Sequence, residues 1–145
     1  MSLVEKPLVL LVDDNEATCT LMTAVLQREF NSETAIDGAD AIEKLKIRQY
    51  AAILLDIRMP RTDGYGVLDY IKSERPEALN KVIIVTAALS GNELGRMKDY
   101  DVRGIVAKPF DVEELLAAVR RCTSPGGDDT PPGPNGLTSS PTETR

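Results

Sequence analysis

The stretch VLLVDDNEAT, Val9 to Thr18, runs four apolar residues straight into two adjacent aspartates and then into a polar segment that begins a helical spacing near Glu16. An apolar run of that length and β-branched content reads as a strand buried on both faces, and the change of period after it reads as the start of a helix. Two carboxylates at the edge of a core repel each other, so their presence there calls for a compensating charge.

Outward from this stretch the same alternation recurs. LVLLV (Leu8 to Val12), AAILL (Ala51 to Leu55), KVIIVT (Lys81 to Thr86) and GIVA (Gly104 to Ala107) read as buried strands, and SETA (Ser32 to Ala35) as a weaker one. Between them fall apolar stripes at helical spacing: Leu21, Met22, Val25 and Leu26; Ala41, Ile42 and Leu45; Val67, Leu68 and Ile71; and Val112, Leu115, Leu116 and Val119. A short helix around Asn92 to Met97 completes five βα units. Right-handed crossovers then imply an α/β fold, a flavodoxin-like doubly wound parallel sheet in the order 2-1-3-4-5.

The chain has 145 residues, 42% hydrophobic and 28% charged, which suits one compact core rather than two. Residues 7–122 are expected to form that domain, with 1–6 an N-terminal extension or remnant. Residues 123–145 hold five of the nine prolines and four of the ten glycines, with Leu137 as the one large apolar residue. Such a segment buries too little to offset its ordering entropy and reads as a flexible tail or linker. A net charge of −6 and a pI near 4.7 argue against nucleic acid or an anionic membrane as a directly bound partner. Cys19 and Cys122 form no CxxC pair, there is no histidine, and no signal-peptide pattern opens the chain. These features fit a reducing cytoplasm and disfavour zinc or a histidine base. No apolar run approaches the roughly 20 residues that span a bilayer.

Ligands of such sheets sit beyond the carboxyl ends of the strands. The first strand delivers Asp13 and Asp14 to that edge, the third Asp56, the fourth Thr86 followed by Ala87 and Ala88, and the fifth Lys108 and Pro109. Unit charges about 4 Å apart repel by roughly 4 kcal/mol at an effective dielectric near 20, so three aspartates stay ionised only with cations beside them. Lys108 supplies one charge, and the all-oxygen donor set points to a hard divalent ion, Mg²⁺, for the rest. Asp56 is then placed as a nucleophile toward a phosphoryl group, with Lys108 and Thr86 contacting its oxygens.

Singly, each residue has a plainer reading: Asp13 or Asp14 caps the following helix, Asp56 serves a turn before Pro60, Thr86 is a β-branched strand residue, and Lys108 is a surface charge. Five such coincidences on one sheet edge outweigh those readings. Asp63-Gly64 stays with the plain reading, a turn and cap opening the third helix, and Arg120-Arg121 complements a helix C-terminus.

The set Asp13-Asp14, Asp56 followed by IRMPRTDG, Thr86-Ala87 and Lys108-Pro109-Phe110 resembles the receiver domain of bacterial two-component response regulators from Pro7 to Cys122. The resemblance implies that Asp56 takes a phosphoryl group from a phosphohistidine on a histidine kinase or phosphotransfer protein. It implies Mg²⁺ held by Asp14, Asp56 and the backbone carbonyl of Arg58, with Asp13 acting partly through water, and a cis peptide between Lys108 and Pro109. Such a domain catalyses only its own phosphorylation and dephosphorylation and signals through a changed surface to an output domain or downstream protein. Thr86 and the position of Ile105 form the family's switch; Ile105 is not the usual aromatic, so a ring-burying switch is not expected here. The paired acids of the DNA-binding subfamily that dimerises through the face of the fourth helix, fifth strand and fifth helix are also missing from DVRGIVAKPF. A phosphatase of the aspartyl-phosphate type needs a second aspartate two residues after the nucleophile, where this chain has Arg58. A non-phosphorylated receiver used only for binding would require no key side chain to be retained, and all are present.

Overall fold

The computed structural model describes residues 6–58, 64–87 and 90–123. Five parallel strands, β1 (Leu8–Val12), β2 (Asn31–Ala35), β3 (Ala52–Leu55), β4 (Val82–Thr86) and β5 (Gly104–Ala107), form one sheet in the order β2-β1-β3-β4-β5. The helices are α1 (Glu16–Leu26), α2 (Gly38–Ile47), α3 (Gly64–Glu74), α4 (Gly91–Met97) and α5 (Val112–Thr123), with a 3-10 helix over Pro76–Lys81 leading into β4. The expected α/β fold and strand order are those observed. The strands expected from Ala51 and Lys81 each begin one residue later, and the 3-10 helix is an addition to the expected elements.

Alternation along the central strands separates the core into two clusters. Leu10 and Val12 of β1, Ile53 and Leu55 of β3, and Val82 and Ile84 of β4 pack toward α2, α3 and Met97 of α4. Val9, Leu11, Ala52, Leu54, Ile83, Val85 and Val106 face the opposite way, onto Met22 and Leu26 of α1 and Leu115 and Val119 of α5. Each large apolar side chain buried fully contributes about 1.5–3 kcal/mol relative to exposure, so both faces must be covered. The strands therefore read as continuous apolar runs rather than alternating ones.

Two expectations are corrected. β5 is not buried on both faces: it lies at the sheet edge, where Ile105 is 43% exposed and only Val106 is buried. Leu21 and Val112, counted in the apolar stripes, are exposed; Leu21 instead borders a hollow of about 350 Å³ with Thr18, Lys108, Pro109 and Phe110. Neither Asp13 nor Asp14 caps α1. Asn15 does, its side chain accepting from the Thr18 amide at 2.9 Å. The expected turn at Asp63 and the tail beyond residue 123 lie outside the described residues, whereas α5 continues through Cys122 to Thr123.

Ladder hydrogen bonding runs one residue past the strand ends and fixes the backbone of the residues delivered there. The Asp13 amide donates to the Ala35 carbonyl at 3.1 Å, the Asp56 amide to Val12 at 2.9 Å, and the Lys108 amide to Thr86 at 2.8 Å. Behind Asp56, α3 begins against the strand end without room for a side chain. A Cβ on Gly64 would stand 2.6 Å from Ile57 Cα and 2.7 Å from the Asp56 carbonyl oxygen, both backbone atoms. Gly64→Ala should therefore lower unfolding free energy by about 1–3 kcal/mol, the usual range for overpacking. Gly104→Ala, which meets nothing within 4 Å, should be neutral or stabilising; urea denaturation of both variants measures the contrast.

Candidate functional site

Asp56, at the end of β3, is buried, and both of its carboxylate oxygens are engaged. Oδ1 accepts from the Arg58 amide and from Thr86 Oγ1, each at 3.0 Å, and Oδ2 accepts from Lys108 Nζ at 3.1 Å. Thr86 ends β4 and is also buried, so its hydroxyl has a fixed acceptor rather than water. Lys108 reaches a second carboxylate, donating to Asp13 Oδ2 at 2.7 Å, while Asp13 Oδ1 accepts from the Asn15 amide at 2.9 Å. The Asp13 carbonyl receives the Cys19 thiol at 3.4 Å. Asp14, next to this nearly inaccessible residue, is exposed. One carboxylate oxygen from each of Asp13, Asp14 and Asp56 lies within 4.8 Å of the others.

Burial of Lys108 works against its charge, but the hydrogen bonds to Asp13 and Asp56 outweigh it and hold its pKa above the usual lysine value. For Cys19, burial and the neighbouring Asp13 push the thiol up to about 11. It is a protonated donor that steadies the backbone of Asp13, not a reactive thiolate.

Asp13, Asp14, Asp56, Thr86 and Lys108 thus converge as the sequence pattern anticipates, and the Lys108-Pro109 peptide is cis. Ile105 lies on β5 opposite Ile84, two residues before the position opposite Thr86, with its side chain partly in solvent. Two features go beyond the sequence reading. Arg58 does more than offer its backbone: its guanidinium pairs with Glu93 on the first turn of α4. Glu93 and Ser90 form a reciprocal capping box, for which SGNE, Ser90 to Glu93, is a sufficient signal in the sequence. Ala88, which flanks the site in sequence, lies outside the described residues.

The family model described as "Response regulator receiver domain" matches residues 9–120. The chain belongs to this family. This receiver domain is 31% identical over 113 residues to the response regulator ArlR of Staphylococcus aureus, covering 77% of this chain and 50% of that protein. The chain spans about half the length of the curated relatives it matches. Among solved structures, the receiver domain is similar to the chemotaxis protein CheY4 of Vibrio cholerae, at 25% identity and a TM-score of 0.74, covering 81% of this chain and 98% of that one. It is also similar to the receiver domain of the sensor histidine kinase PA1611 from Pseudomonas aeruginosa, with a magnesium ion coordinated in its active site cleft. That likeness is 27% identity with a TM-score of 0.73, over 81% of this chain and 98% of the other. Among the described residues no helix is long and apolar enough to cross a membrane.

Three carboxylates against one ammonium leave the receiver domain's cluster with an excess of negative charge, which gives two opposed expectations in chelator-treated protein. Asp14→Asn, which removes one of the three like charges at an exposed position, should stabilise the fold. Lys108→Met, which leaves buried Asp13 and Asp56 without their cation, should destabilise it by about 1–3 kcal/mol. Because folding raises the lysine's pKa, its contribution is complete below the ordinary value of 10.5 and is lost as pH rises through the higher folded value. The gap between wild type and Lys108→Met in denaturant titrations should therefore be flat through neutral pH and close only above that point.

Proposed function

We propose that this receiver domain takes a phosphoryl group onto Asp56 from a phosphohistidine of a histidine kinase or phosphotransfer protein, and passes the signal on by a changed protein surface. The observation that carries the reading is the fixed carboxylate of Asp56. Three donors from three different segments hold it at the rim where the sheet's ligands arrive.

The donor set fits a divalent hard cation. Asp13, Asp14 and Asp56 offer oxygen only, close enough together to share one ion, and the charge left after Lys108 is counted is that of two carboxylates. Asp14 and Asp56 would hold Mg²⁺ directly, with the Arg58 carbonyl as a further ligand. Asp13, as the family resemblance implies, would act partly through water. When bound, the ion supplies positive charge to the phosphoryl oxygens and relieves the repulsion among the carboxylates.

In the transfer, a carboxylate oxygen of Asp56 forms a bond to phosphorus as the bond from phosphorus to the donor's imidazole nitrogen breaks, and that nitrogen leaves with the electron pair. Lys108 and Thr86, both already bonded to the Asp56 carboxylate, turn to the phosphoryl oxygens and stabilise the charge spread over them. Loss of the group reverses the covalent change at Asp56: a water oxygen bonds to phosphorus, the bond to Asp56 breaks, and the carboxylate is restored with inorganic phosphate released. The domain consequently turns over its own phosphoryl group and no separate substrate. A cytoplasmic setting, where such kinases present phosphohistidine, accords with the two unpaired thiols. Residues 7–122 are the unit we assign to this activity.

Incubation with Mg²⁺ and acetyl phosphate should give a hydroxylamine-labile phosphate on wild type and none on Asp56→Asn; equal labelling of the two would remove Asp56 from its role. Calorimetric titration should show that Asp14→Asn weakens Mg²⁺ binding more than Asp13→Asn, and the reverse order would exchange their assignments.

A further inference from the structure

Arg58 is tied at its backbone to the Asp56 carboxylate, its amide donating to Oδ1 at 3.0 Å. Its side chain leaves the cluster for another element, where the guanidinium pairs with Glu93 Oε1. The same Glu93 oxygen accepts from the Ser90 amide at 3.0 Å, and the Ser90 hydroxyl accepts from the Glu93 amide at 3.1 Å. The Ser90 amide, and then Arg58, hold the Glu93 carboxyl below the usual glutamate range. One path of polar contacts therefore runs from Asp56 to the start of α4.

α4 is a helix that depends on such support. It has seven residues, two of them glycine, and buries only Met97. Gly91 and Gly95 stand in open space, with nothing within 4 Å of where a Cβ would stand, so no packing demand offsets the backbone entropy they cost a helix. A helix this short does not persist on propensity alone. Its far end has its own anchors: Met97 and Tyr100 are buried, the Arg96 guanidinium lies 3.6 Å from the centre of the Tyr65 ring, and the Tyr100 hydroxyl donates to Asp69. The end nearest Asp56 is held by charge, and the far end by burial and aromatic contact.

We infer that the Arg58 guanidinium is exchanged between two anions, Glu93 when Asp56 is free and the phosphoryl group when Asp56 carries one, so that phosphorylation loosens the first turn of α4 while its far end stays fixed. The inference rests on the reading of Asp56 as phosphoacceptor. A phosphoryl group brings about 1.5 to 2 negative charges and three acceptor oxygens, and a guanidinium pairs with it bidentately. Glu93 offers one charge, already shared with the Ser90 amide. With the Arg58 side chain half exposed, the pair it leaves is cheap to break. This route moves no ring on β5, and Ile105 has none to move.

Amide hydrogen exchange on the full chain, with Mg²⁺ alone and with Mg²⁺ plus acetyl phosphate, tests the coupling, with hydroxylamine-labile phosphate measured on the same samples. In wild type, exchange at Glu93 and Leu94 should rise about two- to fivefold on labelling, the size expected for losing one partly exposed ion pair, with Tyr100 unchanged. Glu93→Gln keeps the capping box, since glutamine serves at that position, but removes the ion pair. It should show the faster exchange before labelling and little further change after it, and Arg58→Gln should do the same. A labelled wild type with unchanged exchange at Glu93 and Leu94 overturns the coupling while leaving the phosphoacceptor in place. Exchange in unlabelled Glu93→Gln equal to that of unlabelled wild type also overturns it. A wild type that takes no label at Asp56 overturns both.

Discussion

The ammonium of Lys108 lies 2.7 Å from one oxygen of Asp13 and 3.1 Å from one oxygen of Asp56. Two buried carboxylates thus share a single cation, with a third carboxylate, Asp14, close by. This arrangement is tolerable only if each group is held where the attraction outweighs the repulsion, because a shift of an ångström or two changes both steeply in a partly desolvated rim. The sheet provides that constraint. Each of Asp13, Asp56 and Lys108 has its backbone amide bonded to a neighbouring segment, so the charges are positioned by the same ladder that joins the strands.

Around that rim the structure is uneven in how firmly it is held. α1 and α5 close one face and α2 and α3 the other with several buried side chains apiece, whereas α4 contributes one. A change in charge at Asp56 meets a rigid sheet below it and a weakly anchored helix beside it. Among the described helices α4 is thus the one whose local opening meets least resistance.

The fold was legible because a strand covered on both faces needs an apolar run, as β1, β3 and β4 do; the edge strand β5 carries such a run too, though only Val106 of it is buried. β2 is weak in sequence because it lies at the sheet edge with Asn31 to Thr34 exposed or half-buried, so only Ala35 has to be apolar. The site was legible for a similar reason, since a charged or hydroxyl residue directly after a buried strand has few places to go. A long flexible side chain is different, because no pattern in the sequence carries its direction. Arg58 could be placed two residues after Asp56, but its partner is 35 residues away on another element, and only the packed fold brings Glu93 to it. Leu21 and Val112 belong to apolar stripes yet stand in solvent, because a stripe indicates an apolar face without showing how wide the surface that covers it is.

The bond between Lys108 and Asp13 closes a separation of 95 residues, joining the residue after the last strand to the residue after the first. The chain entropy lost in closing so large a loop must be offset by what is packed between its ends. A chain still emerging from synthesis, or one whose last βα unit has come undone, therefore has its acidic residues in place but lacks the cation that completes them. The charge cluster is thus complete only once β5 has joined the sheet and brought Lys108 to Asp13 and Asp56.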